Sequence, residues 1–262
     1  MNTNQGTGHK VSGASSARKL LSVLLCFSSE RPFWTVNELS EELDVSMSTM
    51  YRYVALLREV GLLEPASDNL YRLTRRIIGL ARAAESGRSS LQEVSLPIMT
   101  ALRDRFNETV LIARRNRNYA YCVERVESLQ PVRLQFDRGQ PMSLHRGALA
   151  RVLLSNAPRA ERDRYLESIQ GGAAEKNAKL LTIDSLNEVA RKGYAVSVEE
   201  VDEGIWGTAA AIKFDQQVVA ALGIAAPIYR LDASQRDRII EGVRQAADEI
   251  SEKLTDSGFI PD

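Results

Sequence analysis

The chain has 262 residues, 44% of them hydrophobic and 26% charged, which is typical of a globular protein with one large or two ordinary domains. Its 34 basic and 34 acidic residues cancel, which excludes a globally basic coat, so DNA binding would need a local patch. Two cysteines and two histidines are too few for a zinc finger or a multi-histidine metal site, and we expect no metal and no cofactor.

The sequence shows no signal for a membrane or for export. No apolar run reaches the roughly 20 residues of a membrane-spanning helix. Residues 1–14 are polar, lack the apolar region of a secretion signal, and are predicted to form a disordered arm. Cys26 and Cys122 are far apart and make no disulfide framework, which is typical of a reducing compartment. We therefore expect a cytoplasmic protein without membrane contact.

Short helices and a hairpin are predicted for the first third of the chain. Apolar residues at helical spacing predict a first helix, and Thr35 with Glu38 predicts the capping box of a second. Ser46 is predicted to cap a third helix, which Gly61 ends. The predicted elements are helices over 15–29, from Thr35 to about Leu43 and from Ser46 to about Val60, and strands over 62–63 and 70–73.

The remainder of the chain mixes helices and strands after a helical connector. A helical pattern over 74–84 is interrupted at Gly87–Ser90, where we place a domain boundary. Helices are predicted over 91–106 (kinked or broken at Pro97), 147–154, 159–169, 182–192 and 231–254, and strands over 109–113, 119–126, 132–136, 194–198, 205–214 and 217–225. This order predicts an α+β fold with one mainly antiparallel sheet. The predicted domains are 15–74, a linker helix over 75–88, and 89–258.

The stretch from Thr35 to Glu64 has the pattern of a helix-turn-helix. Its second helix turns Met50, Val54 and Leu57 inward, and the opposite face carries no acid before Glu59. Small hydroxyls allow close approach to the duplex, arginine can pair with guanine or bind phosphate, and tyrosine can donate to phosphate. The predicted DNA-contacting residues are Ser46, Ser48, Thr49, Tyr51, Arg52, Tyr53 and, on the hairpin, Arg72.

The hairpin after this helix would serve as a basic wing. Between Asn69 and Arg88 there are five arginines and one acid, Glu85. The arginines supply the local basic patch that DNA binding requires in a chain without net charge. A plain three-helix domain with a solvated polar face is the competing interpretation. The turn spacing, the acid-free face and the basic wing together favour DNA binding over it.

From about Ser15 to Leu254 the chain resembles the IclR family of transcriptional regulators. The resemblance lies in ELSEELDVSMSTMYRYVALLREVGLLE and NLYRL, then in GQPMSLHRGALARVLLS, RKGYAVSVEE, EGIWGTAAAI and VVAALGIAAP. It implies a winged helix-turn-helix domain joined by a linker helix to a GAF-like effector-binding and oligomerisation domain. It also implies a homodimer or a dimer of dimers on a palindromic operator in double-stranded DNA. Thr74 stands where the family usually has glycine, so the start of the linker helix is expected to differ.

The resemblance also implies a site for a small organic-acid effector, between a loop and the sheet opposite it. The matching positions are Ala148 and Leu149 in the loop and Ser197, Gly207, Gly223 and Ala225 in the sheet. His145 or Arg146 would add charge, and Trp206 would stack on a ring or fill the floor of the pocket. The loop departs from the family pattern at Ser143, Arg146, Gly147 and Ala150. We expect backbone amides to hold a carboxylate, in a pocket suited to a larger or aromatic acid.

Structural interpretations of the same residues remain open. His145 is equally a structural histidine. A tryptophan such as Trp206 is more often a core residue than a ligand platform, and Arg146 has the alternative of facing solvent or a partner subunit. Glu199 and Glu200 favour a solvated turn over a catalytic pair, because adjacent residues on a strand point to opposite faces. The hairpin tip at 114–117 favours an exposed turn over a second DNA contact.

Three functions compete. The first is a regulator, expected to be a repressor of a catabolic operon, that a small organic or aromatic acid controls. The second is an effector-independent DNA-binding protein. The third is an enzyme with an accessory DNA-binding domain, which is disfavoured because neither cysteine has a histidine nearby in sequence and no nucleophile elbow or phosphate loop occurs. We predict the first function and expect no enzymatic activity.

Overall fold

A computed structural model describes residues 14–28, 30–67, 69–85, 89–134, 136–170, 181–257 and 259. It divides the chain into two compact units, 1–88 and 89–262. Except for Ala14, the arm expected over residues 1–14 lies outside the described residues. Among the helices in the described ranges, none is long and apolar enough to cross a membrane.

The first unit packs three short helices against a small sheet. Its elements are α1 (Ser15–Leu25), β1 (Trp34–Thr35), α2 (Val36–Glu42), α3 (Met47–Glu59), β2 (Leu63–Pro65), β3 (Leu70–Leu73) and α4 (Arg76–Glu85). The strands are antiparallel in the order β1-β3-β2. The capping box of α2 is confirmed, since the Thr35 hydroxyl accepts from the Glu38 N–H while the Glu38 carboxylate accepts from the Thr35 N–H. The first helix ends at Leu25, four residues before its predicted end.

The second unit is built on one antiparallel sheet. Its helices are α5 (Ser89–Phe106), α6 (Ala148–Ser155), α7 (Arg159–Gln170), α8 (Ile183–Lys192) and α9 (Ala233–Asp256). Its strands are β4 (Thr109–Asn116), β5 (Tyr119–Val126), β6 (Pro141–Ser143), β7 (Tyr194–Val198), β8 (Ile205–Phe214) and β9 (Gln217–Pro227). They lie in the order β6-β5-β4-β9-β8-β7. Pro97 lies inside α5, which continues past it.

Both faces of this sheet are buried. One hydrophobic cluster joins the sheet to α5 and α9, and a second joins the other face to α6, α7 and α8. Because side chains alternate along a strand, neighbours contribute to different clusters: Ala210 packs in the first and Ala211 in the second. Only residues on the face under α6 are therefore available to a ligand held between that helix and the sheet.

The strand predicted over 132–136 is wrong. Its described residues are not paired in a sheet, and the sixth strand is instead the short Pro141–Ser143 on β5. Side chains take the carbonyl groups that a strand would offer to a neighbour: the Thr109 hydroxyl donates to Leu134 O at 3.3 Å, and the Arg230 guanidinium donates to Val132 O. The chain is therefore fixed in an irregular conformation over this stretch.

Candidate DNA interface and effector site

The outer face of α3 carries the polar residues predicted for DNA contact. Ser46, Ser48, Tyr51 and Arg52 are exposed, and Thr49 is half-buried. Ser46 precedes the helix, but its hydroxyl donates to the Thr49 hydroxyl at 2.9 Å and accepts no helix N–H. The first turn of α3 therefore presents hydroxyls and backbone N–H groups to solvent, an arrangement suited to phosphate oxygens.

Tyr53 does not belong to this face. Its side chain is 9% exposed and packs in the core of the first unit with Met50, Val54 and Leu57. Its hydroxyl is 2.9 Å from the hydroxyl of Ser16 on α1. The prediction that Tyr53 contacts DNA is therefore wrong. The spacing contained the signal, because position 53 lies three residues after Met50 and four before Leu57, on the buried stripe of the helix.

The wing arginines have different roles. Arg72 pairs with Glu64 across the hairpin, Nε to Oε1 at 2.7 Å, and both side chains remain about half exposed. Arg76 donates from Nη1 to Val60 O at 2.8 Å, so it closes the carboxyl end of α3. Thr74 donates to Gly61 O at 2.6 Å and accepts from the Arg76 N–H. Arg72 and Arg76 are both exposed, so Arg72 has the exposure that a phosphate contact requires.

A row of small residues crosses the second sheet beneath α6. Ser197, Gly207, Ala225 and Thr109 are successive neighbours on β7, β8, β9 and β4. Their common face is the one that α6 covers, and Ala225 is the half-buried member of the row. A Cβ on Gly207 would lie 3.1 Å from the Ser197 hydroxyl oxygen, so glycine at position 207 leaves room for the Ser197 side chain on the neighbouring strand. The row brings together three of the predicted effector residues.

The first turn of α6 stands over this row. Ala148 is buried, and Leu149 packs directly on the backbone of β9: a Cβ on Gly223 would lie 3.1 Å from the Leu149 side chain and 2.8 Å from Thr208 O. Gly223 is thus covered by Leu149, and it serves the close packing of helix on sheet. The backbone N–H groups at the start of α6 are those that a helix leaves without internal partners, and they attract anions.

Trp206 lies on the wrong face for the role that was predicted. Its side chain is 1% exposed and belongs to the cluster that α5 and α9 form on the opposite side of the sheet. Gly207 and Ser197 face α6, so a ring stacked on Trp206 could not also lie in the row. The interpretation of Trp206 as a core residue is the one that the structure supports.

His145 and Arg146 are both engaged within the chain. The Tyr165 hydroxyl accepts from the Leu144 N–H at 3.0 Å and lies 2.8 Å from His145 Nδ1. Arg146 donates from Nε to Glu200 O at 3.0 Å and from Nη2 to Val201 O at 2.7 Å. His145 therefore ties the loop before α6 to α7, and Arg146 ties it to the segment that connects β7 and β8.

Glu200 and Arg151 are functional candidates that the sequence reasoning missed. The Glu200 side chain is 14% exposed; Oε1 lies 2.7 Å from Arg151 Nη2, and Oε2 accepts from the Gly147 N–H at 3.1 Å. Glu199 is exposed and accepts from the Gly204 N–H at 2.9 Å, so the two carboxylates diverge as expected of a turn. No sequence signal could have paired Glu200 with Gly147, because 53 positions separate them.

A buried ion pair holds the segment after β5. Arg230 Nη1 lies 3.1 and 3.2 Å from the two carboxylate oxygens of Glu108, whose side chain is 4% exposed. Burial raises the pKa of the Glu108 carboxyl, and the charge of Arg230 opposes that rise. Since Arg230 also donates to Val132 O, the pair anchors the irregular stretch beside Thr109.

Metal-ligating side chains do not form a cluster in the described part of the chain, and both cysteine thiols are affected by burial. The described residues contain no group of three or more histidine, cysteine, aspartate or glutamate side chains that could hold a metal ion. Burial raises the pKa of the Cys26 thiol and of the Cys122 thiol to about 11. Thiols with such pKa values are almost wholly protonated at neutral pH and are weak nucleophiles.

Family models match both units. Residues 16–67 match the IclR helix-turn-helix domain, and residues 85–252 match the C-terminal domain of the bacterial transcriptional regulator IclR. The chain belongs to the IclR family. Its resemblance to that family and its winged helix-turn-helix and α+β fold are thereby confirmed, and it is a DNA-binding transcription regulator.

Named relatives agree with this membership. The chain is 29% identical over 230 residues to the transcriptional regulator KipR of Bacillus subtilis, covering 86% of this chain and 91% of the relative. It is 27% identical over 252 residues to the transcriptional repressor AllR of Escherichia coli, covering 92% and 91%. These relatives span nearly the full length of the IclR-family member described here, so both of its units belong to the comparison.

Solved structures share the fold. A putative IclR transcriptional regulator from Silicibacter sp. TM1040 superposes with a TM-score of 0.76 at 21% identity, covering 92% of this chain and 96% of that one. An IclR homologue from Microbacterium hydrocarbonoxydans, complexed with 4-hydroxybenzoate, superposes with a TM-score of 0.74 at 23% identity, covering 92% and 99%. Both likenesses support the arrangement of elements in this IclR-family chain.

Proposed function

We propose that this regulator is a cytoplasmic repressor of a catabolic operon and that a small organic or aromatic acid releases it from its operator. The observation that carries the proposal is the row of Ser197, Gly207 and Ala225 beneath the first turn of α6. The row consists of small side chains and glycine, and the amino end of a helix faces it. This combination suits a carboxylate whose apolar part lies along the sheet.

Two relatives support particular parts of the proposal. The homologue from Microbacterium hydrocarbonoxydans binds 4-hydroxybenzoate, an aromatic acid of the class that the row would accept. AllR, with which the chain aligns over 252 residues, is a repressor. We therefore propose a benzoate-like or aliphatic acid as the effector, held by the Ala148 and Leu149 backbone amides, and loss of DNA binding as the response.

We also propose a homodimer or a dimer of dimers. Apolar side chains are exposed on the first and the last helix of the first unit: Leu21 and Leu25 on α1 are 59% and 81% exposed, and Ile78 and Leu80 on α4 are 52% and 55% exposed. Such side chains suit burial against a second copy. The proposed domains are 15–74 for DNA binding, 75–88 for the linker helix and 89–258 for effector binding and oligomerisation.

The test is a DNA-binding titration with the DNA that flanks the protein's own gene, with and without a panel of organic acids. Arg52→Ala is expected to weaken specific binding by about tenfold or more, because a base or phosphate contact of arginine is lost. Arg58→Ala removes the same charge from the last turn of the same helix and is the matched control. Its affinity should stay within about twofold of the wild type, as for a surface charge outside the contact.

The effector site has its own variant. Ala225→Leu would fill the row, and we expect it to keep DNA affinity while losing the response to the acid that releases the wild type. If no acid releases the wild-type protein, the effector-independent DNA-binding function replaces this proposal. If the wild type shows no specific DNA shift even at low salt, where phosphate contacts are strongest, the repressor assignment fails.

A further inference from the structure

The segment 199–204 between β7 and β8 is fastened to the start of α6. Arg146 donates to Glu200 O and Val201 O, the Gly147 N–H donates to Glu200 Oε2, and Arg151 pairs with Glu200 Oε1. The Val201 side chain also covers Gly147, since a Cβ there would lie 2.9 Å from Val201 Cγ2. The connection therefore closes the end of the sheet row at which Ser197 lies.

The Glu200 carboxylate lies in surroundings that favour a bound anion. One oxygen accepts from the backbone N–H of Gly147, the residue that precedes α6, and the other lies 2.7 Å from the Arg151 guanidinium. A helix amino terminus and a guanidinium together stabilise a carboxylate, whether it comes from a ligand or from the chain itself. The side chain is 14% exposed, so little water competes for these contacts.

Arg151 retains an unused donor at the same place. Its Nη2 contacts Val196 O and Glu200, whereas its buried Nε has no hydrogen-bond partner among the described residues. A buried N–H without an acceptor is costly, so this position favours the arrival of another acceptor. It provides a second indication, separate from the helix terminus, that the site can take an anion.

We propose that Glu200 is an internal competitor of the effector: an acidic effector occupies the anion position at the start of α6 by displacing the Glu200 carboxylate. This inference rests on the proposed function and assigns its regulation. The released segment would move as one piece, because its ends stay joined by the bond from the Glu199 N–H to Ile205 O at 2.8 Å and by the bond from the Gly204 N–H to Glu199 Oε1. Effector binding would thus break the two contacts of the Glu200 carboxylate with Gly147 and Arg151 and loosen the attachment of segment 199–204 to α6.

The test compares Glu200→Gln with the wild type in calorimetric titrations of the full chain with benzoate and with neutral benzamide. Glutamine keeps the shape and an oxygen for the Gly147 N–H but removes the competing charge. Benzoate affinity is expected to rise by about tenfold or more, because a neutral amide competes less strongly than a carboxylate for the Gly147 N–H and the Arg151 guanidinium. Benzamide affinity is expected to stay unchanged. Glu199→Gln, which removes a charge from the same segment without contacting α6, is expected to match the wild type.

Benzoate affinity of Glu200→Gln that is unchanged or weaker overturns the proposal, since a residue that merely positions the site would give that result. A gain that benzamide or Glu199→Gln shares overturns it too, and so does the absence of benzoate binding to wild type and variant alike. Glu200→Ala, which also removes the carboxylate, is titrated in the same way and should show the same gain in benzoate affinity. If an acid releases the wild type from DNA while Glu200→Gln gains nothing, the proposed function stands and only this inference falls.

Discussion

Two tyrosines on one helix should respond in opposite ways when they lose a hydroxyl group. Tyr53 is 9% exposed and bonds to Ser16, whereas Tyr51 is 56% exposed on the proposed DNA-binding face. A neutral intramolecular hydrogen bond contributes roughly 0.5–1.5 kcal/mol. Tyr53→Phe is therefore expected to lower the free energy of unfolding of the first unit by about 1 kcal/mol and to leave DNA affinity unchanged. Tyr51→Phe is expected to keep stability within about 0.5 kcal/mol and to weaken DNA binding several-fold.

The assay can follow the first unit alone. The chain has two tryptophans, and Trp34 lies in the core of the first unit, so its emission reports urea unfolding of that unit when Trp206→Phe is the common background. DNA affinity is measured at one fixed salt concentration by anisotropy of a labelled operator fragment. Ser16→Ala should cost the same as Tyr53→Phe, and the double variant should cost no more than either single one.

The opposite outcome is that Tyr53→Phe weakens DNA binding as much as Tyr51→Phe while leaving the urea midpoint unchanged. That result would mean that α3 presents a different face to solvent. Additive costs of Ser16→Ala and Tyr53→Phe would refute the bond between α1 and α3 separately.

Three further outcomes are expected. Gly223→Ala should destabilise the second unit by about 1–3 kcal/mol in thermal unfolding, because its Cβ would lie 2.8 Å from Thr208 O. Arg230→Ala should lower the free energy of unfolding by about 3–5 kcal/mol at pH 7, because it leaves the buried Glu108 carboxylate uncompensated. This loss should become smaller as the pH falls and Glu108 is protonated, and urea unfolding at pH 7 and at pH 5 would measure the difference. The cysteine thiols, with pKa values raised to about 11, should resist iodoacetamide in the folded chain at pH 8. Their contribution to the free energy of unfolding is complete below the pKa of an unfolded thiol, about 8.5, and is lost as the pH rises through 11. Unfolding measured at pH 8 and at pH 10.5 would show this loss.

The elements that sequence predicted well are those specified by neighbouring residues. Thr35 and Thr182 form capping boxes at the starts of α2 and α8, and Gly193 ends α8 in a left-handed conformation with φ of 75°. A cap depends on side chains three residues apart, and a C-terminal glycine depends on its own backbone freedom. Such signals remain visible in a single sequence.

The features that sequence missed depend on contacts between distant parts of the chain. Residues 132–134 form no strand because the side chains of Thr109 and Arg230 bond to their carbonyl groups, and Tyr53 is buried against α1. Glu200 reaches the start of α6 because the sheet brings β7 beneath that helix. The candidate effector residues of the row came from the resemblance to the IclR family. Periodicity describes one segment at a time, so it could not identify the carboxylate fastened beside them.

Trp206 and Gly207 are neighbours on β8 and face opposite sides of the sheet, so Trp206 fluorescence can report on changes that begin at the row beneath α6. The indole is sealed on the side of α5 and α9, and no ligand in the row beneath α6 can touch it. A change in Trp206 emission on adding an effector would therefore measure deformation of the sheet itself, carried from one layer of the protein to the other.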